Sequence, residues 1–200
     1  MNSNKWDWDG YGGYVGISYS VSNSILSVWS DGSNRKNLRM IKSFAPDENI
    51  IAETKFKTDG VSKWWQNYLV QKTNDIRNRF GLLDGADAGY TGLGWIVQYR
   101  RDGENDRQHS STLYTLTAGV WYIDAIQKQS SDTFKAIIYD TNYNQLGNSF
   151  TQTSAAWADE TWTWVTWKHE TTKGHYDWIR IRKYTSSEPG VSVNSQTENF

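Results

Sequence analysis

The chain has no cysteine, and only two prolines and two methionines among its 200 residues. Without cysteine there is no disulfide framework, no thiolate catalysis and no cysteine-ligated metal. Export is still open, because a chain of this length can bury a core without covalent staples. No window reaches the ~18 consecutive apolar residues of a membrane-spanning helix, so membrane insertion is not expected. Met1-Asn2-Ser3-Asn4-Lys5 is not followed by the apolar stretch of a signal peptide, and reads as the start of a domain cut from a larger protein. Neither sign of charge dominates: 21 basic residues face 22 acidic ones, for a net charge of -1. Nucleic acid, which is met by a basic footprint, is not an expected partner, nor is an anionic membrane surface. A neutral ligand suits this balance best.

Aromatic rings, by contrast, are abundant: 12 Trp, 12 Tyr and 6 Phe. Each buries roughly 150–250 Å², so few are needed to fill a core and some are left for the surface. Nearly every ordered stretch reads as a strand rich in β-branched and aromatic residues. These are Ile50–Lys57, Gly94–Arg100, Trp121–Lys128, Phe134–Asp140, Trp162–Glu170 and Tyr176–Tyr184. Turn signals separate them at Asp31-Gly32, Asp59-Gly60, Asp84-Gly85, Asp102-Gly103, Asn142–Asn144 and Lys173-Gly174. Short strands so punctuated predict an all-β fold, a sandwich or barrel. Val61–Thr73 breaks the pattern, since Trp64, Trp65, Tyr68 and Leu69 fit about one helical turn, a long loop or an extra hairpin. Residues 1–184 form the expected single domain, and 185–200, rich in Ser, Asn and Gln, the expected linker or extended tail.

Alternation assigns faces. In Tyr176–Tyr184, Asp177, Ile179 and Ile181 share one side, while Trp178, Arg180, Arg182 and Tyr184 share the other. Several strands thus pair an apolar face with one that mixes rings, cations and carboxylates. Such a face can stack the CH side of a sugar and hydrogen-bond its hydroxyls. The candidate ligand contacts are Trp64, Trp65 and Tyr68 as a stacking platform, with Arg79, Gln98, Arg100, Asp124 and Lys128 on polar strand faces. Trp29, Trp121, Trp167 and Phe134 are assigned to the core. The histidines His109, His169 and His175 lack the spacing of a metal site, although the latter two flank one turn. Asp140-x-Asn142-x-Asn144 begins like a calcium loop but lacks the required Gly and closing Glu, and reads as a hairpin turn. Asp7, Asp9, Asp84 and Asp87 are the carboxylates available for a structural Ca2+.

The run Gly174-His175-Tyr176-Asp177-Trp178-Ile179-Arg180-Ile181-Arg182-Lys183-Tyr184 resembles the closing strand of laminin G-like and concanavalin A-like lectin/glucanase domains. With Glu188-Pro189 after it, the run also looks like domains attached to large prokaryotic surface proteins. The resemblance implies a two-sheet antiparallel jelly-roll sandwich with a concave face that binds glycans there or at its rim. It does not fix the function, because binding modules and enzymes share the fold. The carboxylate pair of a retaining glycosidase has no counterpart beyond Asp102, Glu104 and Asp106, which sit at a hairpin tip. Alginate-type lyases of the superfamily carry an Arg-rich strand, a Gln-x-His pair and a Tyr-Phe-Lys-Ala-Gly-x-Tyr run. Arg77-x-Arg79, Gln98-Tyr99-Arg100 and Phe134-Lys135-Ala136-Ile137-Ile138-Tyr139 are similar to these, with Arg100 in place of the histidine. By that resemblance Arg79 would neutralise a uronate, Gln98 would hydrogen-bond it, and Tyr139 would move a proton.

The resulting expectation is a non-catalytic, monomeric carbohydrate-binding module, extracellular or on the cell surface. Its ligand would be a polysaccharide, a neutral β-glycan by the charge balance, and its attached partner a catalytic or surface module. A polysaccharide lyase or hydrolase, and a protein-binding adhesin, are the alternatives.

Overall fold

The computed structural model describes residues 6–7, 18–29, 36–40, 42–60, 66–71, 79–84, 94–100, 108–168 and 173–186. In chain order the first strands are β1 (Trp6–Asp7), β2 (Ser18–Ser22), β3 (Ile25–Trp29), β4 (Lys36–Met40) and β5 (Ile50–Thr58). Then come β6 (Gln66–Gln71), β7 (Arg79–Asp84), β8 (Gly94–Arg100), β9 (Gln108–His109) and β10 (Tyr114–Thr115). The last are β11 (Tyr122–Lys128), β12 (Thr133–Tyr139), β13 (Gln145–Thr153), β14 (Trp162–Lys168) and β15 (Gly174–Lys183). They form two antiparallel sheets. One runs β1-β4-β14-β6-β7-β8-β10, with β9 paired to β8. The other runs β13-β12-β11-β5-β15-β3-β2. One of the two sheets is strongly curled, and the whole is a jelly-roll sandwich, as the sequence predicts.

The core lies between the sheets and is made of rings. Trp95, Trp157, Trp162 and Trp164 are fully buried. Trp157 stands in a 3-10 turn, Ala155–Trp157, and meets Phe134 edge-on at 5.1 Å between centroids. Phe134 in turn contacts Trp162 at 4.6 Å, and Phe56 stacks on Trp95 at 5.0 Å. Such pairs add roughly 0.5–1.5 kcal/mol each beyond the area they bury. Phe134 is thus core, as expected. Trp29 and Trp121 are only partly buried and carry lysines instead: Lys173 lies over Trp29, and Lys55 and Lys57 over Trp121. An indole with an ammonium on its face keeps that face towards water. Trp167 belongs to β14, and its side chain lies outside the described residues.

Of the readings offered for residues 61–73 the hairpin fits, since Gln66–Gln71 is a strand that pairs antiparallel with β7, the next in the chain. Asn67 and Leu69 are buried, so a polar residue occupies a core site and hides the alternation. Gln145–Thr153, which the sequence reading does not include among the strands, is mostly polar and sends only Leu146 and Phe150 to the core; it is an edge strand paired on one side only, and an edge strand needs no continuous apolar face. A bulge lies between Tyr176 and Trp178 in β15. It removes Asp177 from the face of Ile179 and Ile181, and Asp177 instead binds Lys55 Nζ at 2.6 Å. The tail from residue 187 onwards lies outside the described residues.

Candidate functional site

Six of the eight sequence-predicted contacts lie among the described residues, and they fall into two groups. Tyr68, Arg79, Gln98 and Arg100 occupy neighbouring register positions in the first sheet: Tyr68 beside Gly81, Gly81 beside Gln98, and Arg79 beside Arg100. Arg79 is 1% exposed, so it does not offer its charge to a surface ligand. Asp124 and Lys128 lie on the core side of β11, with Tyr122 and Ile126, rather than on a polar face. Trp64 and Trp65 lie outside the described residues. Tyr139 belongs to the other sheet from Arg79 and Gln98, so the three groups matched to a lyase are not assembled as one centre.

Asp124 and Lys128 have structural work inside. Asp124 accepts a hydrogen bond from Asn67 Nδ2 at 2.6 Å, across the gap between sheets. Asn67 Oδ1 accepts from the Tyr176 hydroxyl at 3.1 Å, which lies 2.5 Å from Thr166 Oγ1. Burial pushes the Asp124 carboxyl up to about 7, and the bond from Asn67 only partly offsets it. The Lys128 ammonium donates to the carbonyls of Pro46 and Glu48, pinning the segment that leads into β5. Burial holds its pKa below the usual lysine value, against the pull of Asp47 and Glu48.

A further group of rings and charges lies on the outer side of the second sheet. Register places Lys135, Gln127, Ile51 and Arg182 in one row across β12, β11, β5 and β15. The next row is Ile137, Ala125, Glu53 and Arg180, and the third is Tyr139, Ile123, Lys55 and Trp178. The middle is aliphatic and the margins carry rings and charges. Glu53, its side chain 2% exposed, is clamped by Arg180 at 2.5 Å and Arg182 at 3.3 Å. The Arg180 guanidinium also stacks over Trp178, 5.0 Å from the ring centroid.

Tyr143, in the turn after β12, reaches over this face, and its hydroxyl accepts a hydrogen bond from Arg180 on β15. The turn thus forms a rim, and the strip of sheet beside it is a trough. Asp140 holds the turn in shape by accepting from the backbone N–H of Asn142 at 2.8 Å and of Asn144 at 2.9 Å. The expected hairpin turn is thus present, and the hydrogen bond from the Asn144 side chain at 2.8 Å, with those from the backbone, keeps the Asp140 carboxyl below the usual carboxylate range. At the far margin His175 is held by Ser27 at 2.8 Å and Asp59 at 2.8 Å. His169, Asp9 and Asp87 lie outside the described residues, as do the side chains of Asp7 and Asp84. Among the described residues no group of three His, Asp or Glu is placed to hold a metal.

The sequence carried half of this site. Alternation put Trp178, Arg180 and Arg182 on one face, whereas Glu53, Lys55, Gln127 and Tyr143 were missed. Their only signal was position: Glu53 and Lys55 alternate with apolar residues of a strong strand.

No family model matches the chain, and no curated protein matches it. Solved structures do. A protein of unknown function from Shewanella oneidensis MR-1 superposes with a TM-score of 0.59 at 17% identity, over 95% of this chain and 83% of that one. An alginate lyase from Pseudomonas aeruginosa gives 0.59 at 11% identity, over 83% and 86%. The carbohydrate-binding module CBM66 from Bacillus subtilis gives 0.57 at 10% identity, over 90% and 96%. The fold is the concanavalin A-like jelly roll. One of these neighbours is an enzyme and one a binding module, so at these identities the likeness carries the fold and leaves the activity to the site. Among the described residues no helix is long and apolar enough to cross a membrane.

Proposed function

We propose that this domain binds a polysaccharide in the trough without cleaving it, outside the cell, and so holds an attached enzyme or surface near its glycan. One observation carries the reading. Adjacent strands and the turns beside them present Tyr139, Tyr143, Trp178 and Trp121 together with Lys55, Arg180 and Arg182 on a single face. Rings at the margins can take the CH faces of sugars, while the ammonium and guanidinium groups take hydroxyls. A glycan array probed with the domain tests it, with Trp178→Ala and Trp121→Ala as variants. Binding that both variants weaken, with an unchanged melting point, supports the trough; undiminished binding by both moves the site elsewhere.

A second reading is polysaccharide lyase activity. It is favoured by Lys135 and Tyr139, which alternate on β12 along the trough as in the lyase-like run. A lyase would generate unsaturated uronate products that absorb in the ultraviolet. Turnover that Tyr139→Phe abolishes would replace the non-catalytic reading.

A further inference from the structure

We infer that the glycan taken by the trough is acidic, a polymer bearing carboxylate or sulfate groups along its length. This rests on the trough being the glycan site and names the class of its ligand.

The whole chain is balanced in charge, but its second sheet is not. Among the described residues, the outer face and its margins carry Lys55, Lys57, Lys135, Arg180 and Arg182 against Glu53, Asp177, Asp59 and Asp140. All four carboxylates are already engaged: Glu53 by the two guanidiniums, Asp177 by Lys55 at 2.6 Å, Asp59 by His175, and Asp140 within its own turn. Lys57 and Lys135 meet no carboxylate within ion-pair distance among the described residues. Among these residues the face therefore keeps two cations that no carboxylate pairs.

The surplus is also spread out. Lys135 lies in the row of Gln127 and Ile51, at one end of the trough. Lys57 stands six residues along β5 from Ile51, about 20 Å away at strand rise. A single small anion would be met by cations converging on one point; these are placed for anions that repeat. Several of these cations also have a ring as neighbour. Lys55 and Lys57 lie 5.6 and 5.2 Å from the centroid of Trp121, and Arg180 lies 5.0 Å from that of Trp178. A ring for the sugar's CH face beside a cation for its acidic substituent is a recognition unit for an acidic sugar. The face repeats it twice.

The test uses the whole chain and three polymers: polygalacturonate, dextran sulfate and a neutral β-glucan. Affinity is measured by calorimetry at low and at high NaCl. One or both polyanions should bind at least ~10-fold tighter than the glucan at low salt, and lose most of that advantage when the Debye length falls to ~3–5 Å. Which polyanion binds tells carboxylate from sulfate. Lys57→Gln and Lys135→Gln should each weaken polyanion binding about two- to fivefold at low salt, with no change in melting point. Lys42→Gln, outside the trough, should not. Salt-insensitive binding of the neutral glucan would overturn the acidic assignment and leave the trough as a glycan site. Equal losses from the Lys42 and Lys135 variants would mean general adhesion of polyanions, and overturn it too. Failure of all three polymers to bind would remove the trough reading itself.

Discussion

Glu53 and Asp124 are two buried carboxyl groups on adjacent strands, one register step apart, and they meet opposite fates. Asp124 lies opposite Thr54, and Glu53 opposite Ala125, so the two side chains leave the same patch of sheet by opposite faces. Glu53 enters the trough and meets two guanidiniums. Asp124 enters the core and meets the Asn67 amide and Thr54, with no cation beside it among the described residues, and burial raises it to about 7. Depth alone does not decide what a carboxyl does. The partner decides, and the partner follows from which way the strand turns it.

Breaking the charged side should cost most. In Arg180→Met combined with Arg182→Met, Glu53 stays buried without its counter-charges, and stability should fall by about 3–5 kcal/mol in urea unfolding. Restoring Glu53→Gln in that background should recover much of the loss. Removing a ring from the trough should act on binding instead. Trp178→Ala is expected to lose about 1–3 kcal/mol of glycan affinity, by analogy with ring stacking on bases. Because Trp178 is partly exposed, its unfolding midpoint should hardly move.

The neutral side is sharpened by pH. A carboxyl whose folded pKa lies above its unfolded value of 3.8 keeps a proton that the unfolded chain has released. Its contribution to stability is complete below about pH 4 and drains away as pH rises through about 7, by up to ~1.4 kcal/mol per pH unit. Asp124→Asn should flatten that slope between pH 4 and 7, measured as the difference from wild type in denaturant titrations. The smallest expected effect is Tyr143→Phe, which removes one hydroxyl from Arg180. About 0.5–1.5 kcal/mol of stability is at stake there, read from the same titrations.

Much of the fold was legible. β5, β8, β11, β12, β14 and β15 were placed within two residues at most of their ends, because β-branched and aromatic residues mark them. What failed was the assumption that a polar residue in a strand faces water. Asn67, Asp124 and Lys128 all face inward, each satisfied by a partner that sequence does not bring near: Asp124 and Asn67 are 57 positions apart, and Lys128 and Pro46 are 82 apart. The same blindness hid the clamp on Glu53, whose partner Arg180 is 127 positions away. Trp121 misled in the other direction: a large ring next to an apolar strand reads as core until the lysines above it are seen.

The bulge in β15 sets the parity of everything after it. Tyr176 points into the core, and in an unbroken strand every second residue would follow it, which would drive Trp178, Arg180 and Arg182 inward and turn Ile179 and Ile181 out to water. The one extra residue acts like a frameshift in a reading frame of two. Ahead of it the even-numbered residues are core; beyond it the odd-numbered ones are. Deleting Asp177 should therefore leave that parity untouched, because the pairing would run straight from Tyr176 with Phe56 to Trp178 with Lys55; inserting one residue beyond the bulge, by contrast, would turn the trough side of the strand inside out.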